Sequence, residues 1–381
     1  MIKKKVAILT QPLGHNYGGL LQAYALQIYL KKLGCEVETL DRRAPEAGQL
    51  SAKSHVFNLA RLMLGRIKSI PNAKKQARVL EELARFRDRR IAMSPKIASE
   101  QELREYYRDR KFDAFVVGSD QVWRPRYSPS ILNFFLDFLD DIKSPAKRIA
   151  YAASFGVDDW EYSSELTEKC TILAQKIDAI SVRESSAVSL CKEKLGVFAE
   201  CVVDPTLLLE PEDYEPLISE CGENVNAGCV LSYVLDPAPE KRSIADTVGS
   251  SLGVNVFSIK PQHSVAQVRT KDLDKCQFPS VESWLQAFRN ASFVVTDSFH
   301  GTVFAILFNK PFIAVGNSAR GMARFESLLS QFGLVERLVE SLTEITPELV
   351  YSKIDWEAVN IRREALTDVG RQFLTAHLSG E

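Results

Sequence analysis

The sequence predicts an α/β protein of two doubly wound, Rossmann-like domains facing a cleft. Three observations predict it. The chain has 381 residues, too many for one small core, and fits two domains of roughly 150–200 residues. Strand-type apolar runs alternate with helical stretches in two successive series, one ending near residue 205 and one beginning near Gly228. Between them Pro205, Pro211, Pro216, Gly222 and Gly228 interrupt regular structure. The expected organisation is a first domain over 1–205, a second over 206–350, and a C-terminal helix in 351–381 that packs back on the first domain.

In the first series, Val6 to Thr10 is a strand, and the loop Gln11 to Gly19 follows it. Leu20, Leu21, Tyr24, Ala25, Ile28, Tyr29 and Leu33 recur at helical spacing, with Gly34 at the C-cap position. Glu36 to Leu40 is the next strand, which completes a βαβ unit and implies a parallel sheet. Residues 45–92 carry eleven Lys/Arg against four acids, and read as a basic helical insertion broken by Pro71. It is a solvated face or a contact for an anionic surface, lipid or acidic glycan. Strands resume at Ala114 to Val117, Arg148 to Ala153, Ala179 to Val182 and Cys201 to Val203. Ser185 or Ser186 caps the helix that runs to Leu195.

In the second series, Cys229 to Val234, Asn255 to Ile259, Phe293 to Thr296 and Phe312 to Val315 read as strands. Val281 to Asn290, Thr302 to Phe308, Arg324 to Phe332 and Trp356 to His377 read as helices.

Composition excludes several classes. Apolar residues are 45% and charged residues 25%, so the bulk of the chain is not disordered. The net charge of −1 argues against general nucleic-acid binding. No apolar run approaches the ~18 residues of a membrane span, and Val6 to Leu9 is too short for a secretory signal. Seven cysteines without a C-x-x-C pair suit reduced thiols in a cytoplasm. There is no G-x-S-x-G, no H-E-x-x-H and no P-loop, and five histidines give no zinc spacing.

Ligands of doubly wound sheets bind beyond the carboxyl ends of the strands. The residues there are polar. Thr296-Asp297-Ser298-Phe299-His300-Gly301-Thr302 stands between a strand and a helix, where open N–H groups attract an anion. His300 is placed at that anion site, with Gly301 allowing close approach; the alternative is a capped helix with a packed histidine. Arg183 can fork onto a phosphate or carboxylate, or pair with an acid such as Glu184. Asp120 can accept a proton from a sugar hydroxyl and Trp123 can stack on a sugar, or they form a turn and a core aromatic. Arg324 can reach the same anion or stay solvated. The loop Gly14-His15-Asn16-Tyr17-Gly18-Gly19 lacks the dinucleotide fingerprint.

Taken in order, the pieces carry a resemblance. They are Asn16-Tyr17-Gly18-Gly19 with Leu21-Gln22-Ala23-Tyr24-Ala25-Leu26, and Val117-Gly118-Ser119-Asp120-Gln121-Val122-Trp123. Tyr151-Ala152-Ala153-Ser154-Phe155-Gly156, Ser181-Val182-Arg183-Glu184 and Val203-Asp204-Pro205-Thr206 follow, then Thr296-Asp297-Ser298-Phe299-His300-Gly301 and Arg324-Phe325. Across roughly residues 6–335 the chain resembles the polysaccharide pyruvyl transferase family.

The resemblance implies a fold similar to GT-B glycosyltransferases. It implies transfer of the enolpyruvyl carbons of phosphoenolpyruvate to two hydroxyls of one sugar as a ketal, on a bacterial capsule, exopolysaccharide or cell-wall glycan or its lipid-linked precursor. No cofactor beyond that donor and no metal is implied. On this reading His300 protonates the methylene carbon. Arg183, Ser298, Gly301, Thr302 and Arg324 hold the donor. Asp120 is the base or positions the acceptor, which Asn16, Tyr17, Gly18 and Trp123 bind. A glycosyltransferase with a nucleotide-sugar donor is the alternative, though Ser258-Ile259-Lys260-Pro261 offers no acidic ribose ligand; a non-catalytic glycan-binding relative is another. The expected place is the cytoplasm, at the inner face of the membrane if the basic insertion meets lipid.

Overall fold

The computed structural model describes residues 3–43, 61, 62, 64, 66–222, 226–236, 238–316 and 322–378. Two parallel sheets carry the chain. The first has seven strands: β1 (Lys5–Leu9), β2 (Glu36–Arg42), β3 (Met93–Ile97), β4 (Ala114–Val117), β5 (Lys147–Ala153), β6 (Ala179–Val182) and β7 (Glu200–Cys201). Their spatial order is β3-β2-β1-β4-β5-β6-β7. The second has five: β8 (Val230–Tyr233), β9 (Val256–Phe257), β10 (Phe293–Thr296), β11 (Phe312–Val315) and β12 (Leu338–Val339), in the order β12-β11-β10-β8-β9. The central strands are buried along their length, as both-face-covered parallel strands must be.

Each sheet reverses its strand order once, between β1 and β4 in the first and between β8 and β10 in the second. β1 pairs β4 in register from Val6–Ala114 to Leu9–Val117, so the loops after Leu9 and Val117 leave the sheet side by side. β10 pairs β8 from Phe293–Val230 to Thr296–Tyr233, which does the same for Asp297 and Val234.

Several elements differ from expectation, among them the helix Pro211–Ile218, which forms where prolines were expected to interrupt regular structure. β3 is an edge strand containing Pro95, a residue that edges tolerate because one N–H row faces outward. The helix Glu100–Arg108 after it also escapes the periodicity reading. Of the basic insertion, residues 45–60, 63 and 65 lie outside the described residues; beyond Pro71 it forms the helices Ala73–Val79 and Glu81–Arg90.

The helix Trp356–Leu378 lies on the first domain. Thr367 Oγ1 donates to Leu207 O at 2.9 Å, and Lys4 Nζ to Leu378 O at 2.6 Å. A Cβ on Gly370 would sit 2.5 Å from the Tyr151 hydroxyl, so this helix needs glycine to approach β5. Among the described residues no helix is long and apolar enough to cross a membrane.

Candidate active site

The ends of β4, β6, β7 and β10 bring one charged cluster together. After β4, Gly118 has φ +126°, and a Cβ there would lie 2.0 Å from Tyr151 O. The turn continues through Asp120, a non-glycine residue at φ 71°. Its carboxylate is thereby directed at the residue that follows β6, Arg183. Arg183 Nη2 donates to Asp120 Oδ1 at 3.4 Å and Nη1 donates to Asp204 Oδ2 at 2.8 Å. Glu184 is not its direct partner. Glu184 Oε1 instead accepts from Ser154 Oγ and the N–H groups of Phe155 and Gly156, and holds the turn after β5.

Asp204 follows β7 and is the hub. Its Oδ1 accepts from Thr206 N–H at 3.0 Å and Thr206 Oγ1 at 2.8 Å. Its Oδ2 lies 3.5 Å from His300 Nε2, which arrives from the second domain. Burial alone would raise this carboxyl's pKa, but His300 and Arg183 outweigh it and hold it well below the usual carboxylate range. Asp204 is therefore a fixed anion between a guanidinium and an imidazole.

His300 sits in the first turn of the helix Phe299–Leu307. Ser298 caps that helix, its Oγ accepting from Gly301 N–H at 3.2 Å. The imidazole rests against Gly18, in the first turn of the helix Tyr17–Lys32, whose cap is Asn16. A Cβ on Gly18 would lie 2.1 Å from His300 Nδ1. Two helix N-termini, one from each domain, thus converge on the imidazole.

Arg183 Cζ stands 4.3 Å from the ring centroid of Phe299 and Arg324 Cζ 6.0 Å from it. Burial, with Arg183 next in size, pushes Arg324 down to about 10, so it remains charged at neutral pH. The two cations stand beside one aromatic ring, and Asp120 and Asp204 balance Arg183. The cluster is closed: Asp120, Arg183, Asp204, Ser298, His300 and Arg324 are each 9% exposed or less.

Several expected site residues have other work. Trp123 is fully buried, stacked on Phe135 at 5.0 Å, and donates through Nε1 to Phe134 O, so it offers no face to a sugar. Tyr17 is buried against Trp284, and its hydroxyl donates to Pro279 O; it joins the domains and is not free to bind an acceptor. The space of the missing Gly301 side chain is filled by Thr296 Oγ1, 2.3 Å from a built Cβ; the glycine serves packing of helix on strand, and a ligand gains no approach there. Gly18 likewise yields its space to His300. Thr302 is fully buried and spends its N–H and hydroxyl on Ser298 O, so it does not hold the donor. Ser298 Oγ is occupied as a cap. Asn16 stays exposed with Oδ1 taken by Gly18 N–H at 3.0 Å. Asp297, also at the strand end, accepts from Leu235 and Asp236 N–H and pairs with Lys241 at 2.6 Å, closing the crevice between β8 and β10.

The sequence reading placed Asp120, Arg183, His300 and Arg324 near the cleft, and the structure brings these four together. It left Asp204 out of the site, although an acid directly after a strand was the available signal. Among the described residues no group of three or more His, Cys, Asp or Glu is placed to hold a metal ion.

Comparison with known proteins bears on this geometry. A family model described as polysaccharide pyruvyl transferase matches residues 16–319. No curated protein sequence matches the chain. Among solved structures, Arabidopsis thaliana UGT89C1 complexed with UDP-L-rhamnose is similar over 99% of this chain and 99% of that one, at 11% identity and a TM-score of 0.54. A Listeria monocytogenes protein described as a UDP-N-acetylglucosamine 2-epimerase is similar over 99% of this chain and 91% of that one, at 9% identity and a TM-score of 0.52. At such identities the likeness is one of fold, and the fold is GT-B.

Proposed function

The chain belongs to the polysaccharide pyruvyl transferase family, and from that premise we propose that it moves the pyruvyl unit of phosphoenolpyruvate onto two hydroxyls of one sugar of a surface glycan or its precursor. The observation that carries this reading is the pair of buried cations, Arg183 and Arg324, flanking Phe299 beside His300. A small, highly charged anion needs such a place. Its phosphate and carboxylate would make charge-assisted hydrogen bonds with Arg324, whose charge burial makes costly.

The reaction divides among the residues as follows. Arg324 and the first-turn N–H groups of Phe299 and His300 hold the donor's oxygens. His300 delivers a proton to the methylene carbon, which becomes a methyl group, and positive charge develops at the central carbon. Asp204, fixed by Arg183 and Thr206, orients the imidazole and balances its charge. Asp120, beside Arg183, takes the proton of the attacking sugar hydroxyl. Phosphate then leaves, the second hydroxyl adds to the same carbon, and the ketal closes. Of the two hydroxyl protons, one replaces that given to the methyl group and one leaves with phosphate.

Arg183 already holds two carboxylates, so its part is to set Asp204 and Asp120 and to add field at the donor. This shifts the main donor contact to Arg324. Calorimetric titration with phosphoenolpyruvate beside a panel of UDP-sugars tests the reading. Phosphoenolpyruvate binds the protein, and Arg324→Ala abolishes that binding. Binding of a UDP-sugar with none of phosphoenolpyruvate overturns the proposal in favour of a glycosyltransferase.

A further inference from the structure

The basic segment that starts in the first domain docks on the second. Lys68 N–H donates to Ala266 O at 2.7 Å, Ser69 Oγ to Val265 O at 2.8 Å, and Phe278 N–H to Val79 O at 2.9 Å. Beneath these bonds Val79, Val265, Val268, Leu273 and Cys276 form a small buried apolar cluster of their own. The segment is therefore clasped, and the clasp joins basic residues of both domains on one face.

On that face a cavity of about 390 Å³ is lined by Lys68, His263, Arg269, Lys271 and Lys275 among others. All five are exposed. The one carboxylate in the lining is Asp272, 3.8 Å from Lys275 Nζ. Lys68, Arg269 and Lys271 have no carboxylate within ion-pair distance among the described residues. The described residues 61, 62, 64 and 66–80, which run into this face, hold six Lys/Arg and no acid. Their charge is set against a chain that is net −1 as a whole, so the molecule is electrically polarised. Next to the cavity lining in sequence, Leu64 is 69% exposed, flanked by Arg61 and Arg66.

We propose that this composite face docks on an anionic membrane surface, with a lipid phosphate in the cavity. A polarised molecule presents one face to a charged plane and turns its acidic remainder away. An exposed leucine among basic side chains suits the boundary of headgroups and acyl chains, where a polyanion in solution would leave it wet. The docking stands on charge and packing alone and is independent of what the His300 cluster catalyses.

Sedimentation of the full chain with vesicles tests it. One set is phosphatidylcholine with one part in three phosphatidylglycerol, the other phosphatidylcholine alone. The protein sediments with the anionic set only, and added salt releases it. The double variant Arg269→Ala/Lys271→Ala binds about 25-fold more weakly, at about fivefold per charge removed. Its unfolding midpoint equals that of the parent, because both side chains are exposed. Equal binding by the variant, or no binding to anionic vesicles, overturns the proposal. Release from the anionic vesicles by millimolar inorganic phosphate at constant ionic strength would reassign the cavity to a free anion and also overturn it. No step reads turnover, so failure here leaves the transferase reading standing, and the reverse holds.

Discussion

The imidazole of His300 lies on the backbone of Gly18, with only 2.1 Å between Nδ1 and the place where a Cβ would stand. One residue belongs to the first domain and the other to the second. The contact therefore fixes the histidine at the boundary and makes its position depend on how the two domains meet.

Gly18→Ala tests that dependence. A methyl group there must displace the ring, so phosphate release from phosphoenolpyruvate with an acceptor glycan falls on the order of 100-fold, the loss expected for a misplaced general acid. Alanine is the better helix former by up to about 1 kcal/mol, and Gly18 is in the first turn of a helix. A thermal melt that stays at or near the parent midpoint, beside lost turnover, separates the ring's displacement from unfolding. Unchanged turnover would refute the His300 assignment.

Asp204→Asn keeps the size of the hub and removes its charge. Arg183 and His300 lose the anion between them. Breaking a buried pair in this way costs about 3–5 kcal/mol, read from urea unfolding at neutral pH. If Asp204 orients His300, the pH profile of the residual turnover also moves, a change that lost stability alone would not produce.

Acid should act through the same carboxylate. Its folded-state pKa lies below the value in the unfolded chain, so between the two the unfolded state binds more protons, and stability rises with pH there. The contribution is whole above about pH 4 and is lost as pH falls through the folded value. Urea midpoints measured on acidification decline more steeply for the parent than for Asp204→Asn. Parallel curves would contradict the pairing.

Trp123 distinguishes core from ligand contact. Trp123→Ala empties a fully buried, stacked site and costs about 3–5 kcal/mol. Trp123→Phe keeps most of the stacking, and its KM for acceptor matches the parent. A rise in that KM with an unchanged melt would restore Trp123 to the acceptor site.

The parts of this fold that could be read from sequence are those where burial is one-sided in its logic. Ala114–Val117, Ala179–Val182, Phe293–Thr296 and Phe312–Val315 are continuous apolar runs because parallel strands are covered on both faces. Met93–Ile97 escaped because an edge strand obeys a looser rule and admits Pro95. Asp120, Arg183 and His300 could be found because strand ends in such sheets point to one place. The fate of Trp123 could not. An aromatic after a strand looks alike whether it meets a sugar or Phe135, and the partner comes from a separate stretch of chain. Gly18 read as a loop glycine for the same reason, since its neighbour His300 is supplied by the other domain.

The helix Trp356–Leu378 gives the second domain an anchorage at each end. The chain leaves the first sheet after Cys201, builds the second sheet, and returns to lie against Tyr151 and Leu207. A body tied by two passages of chain and by one apolar core common to both sheets has little freedom to slide or turn against its neighbour.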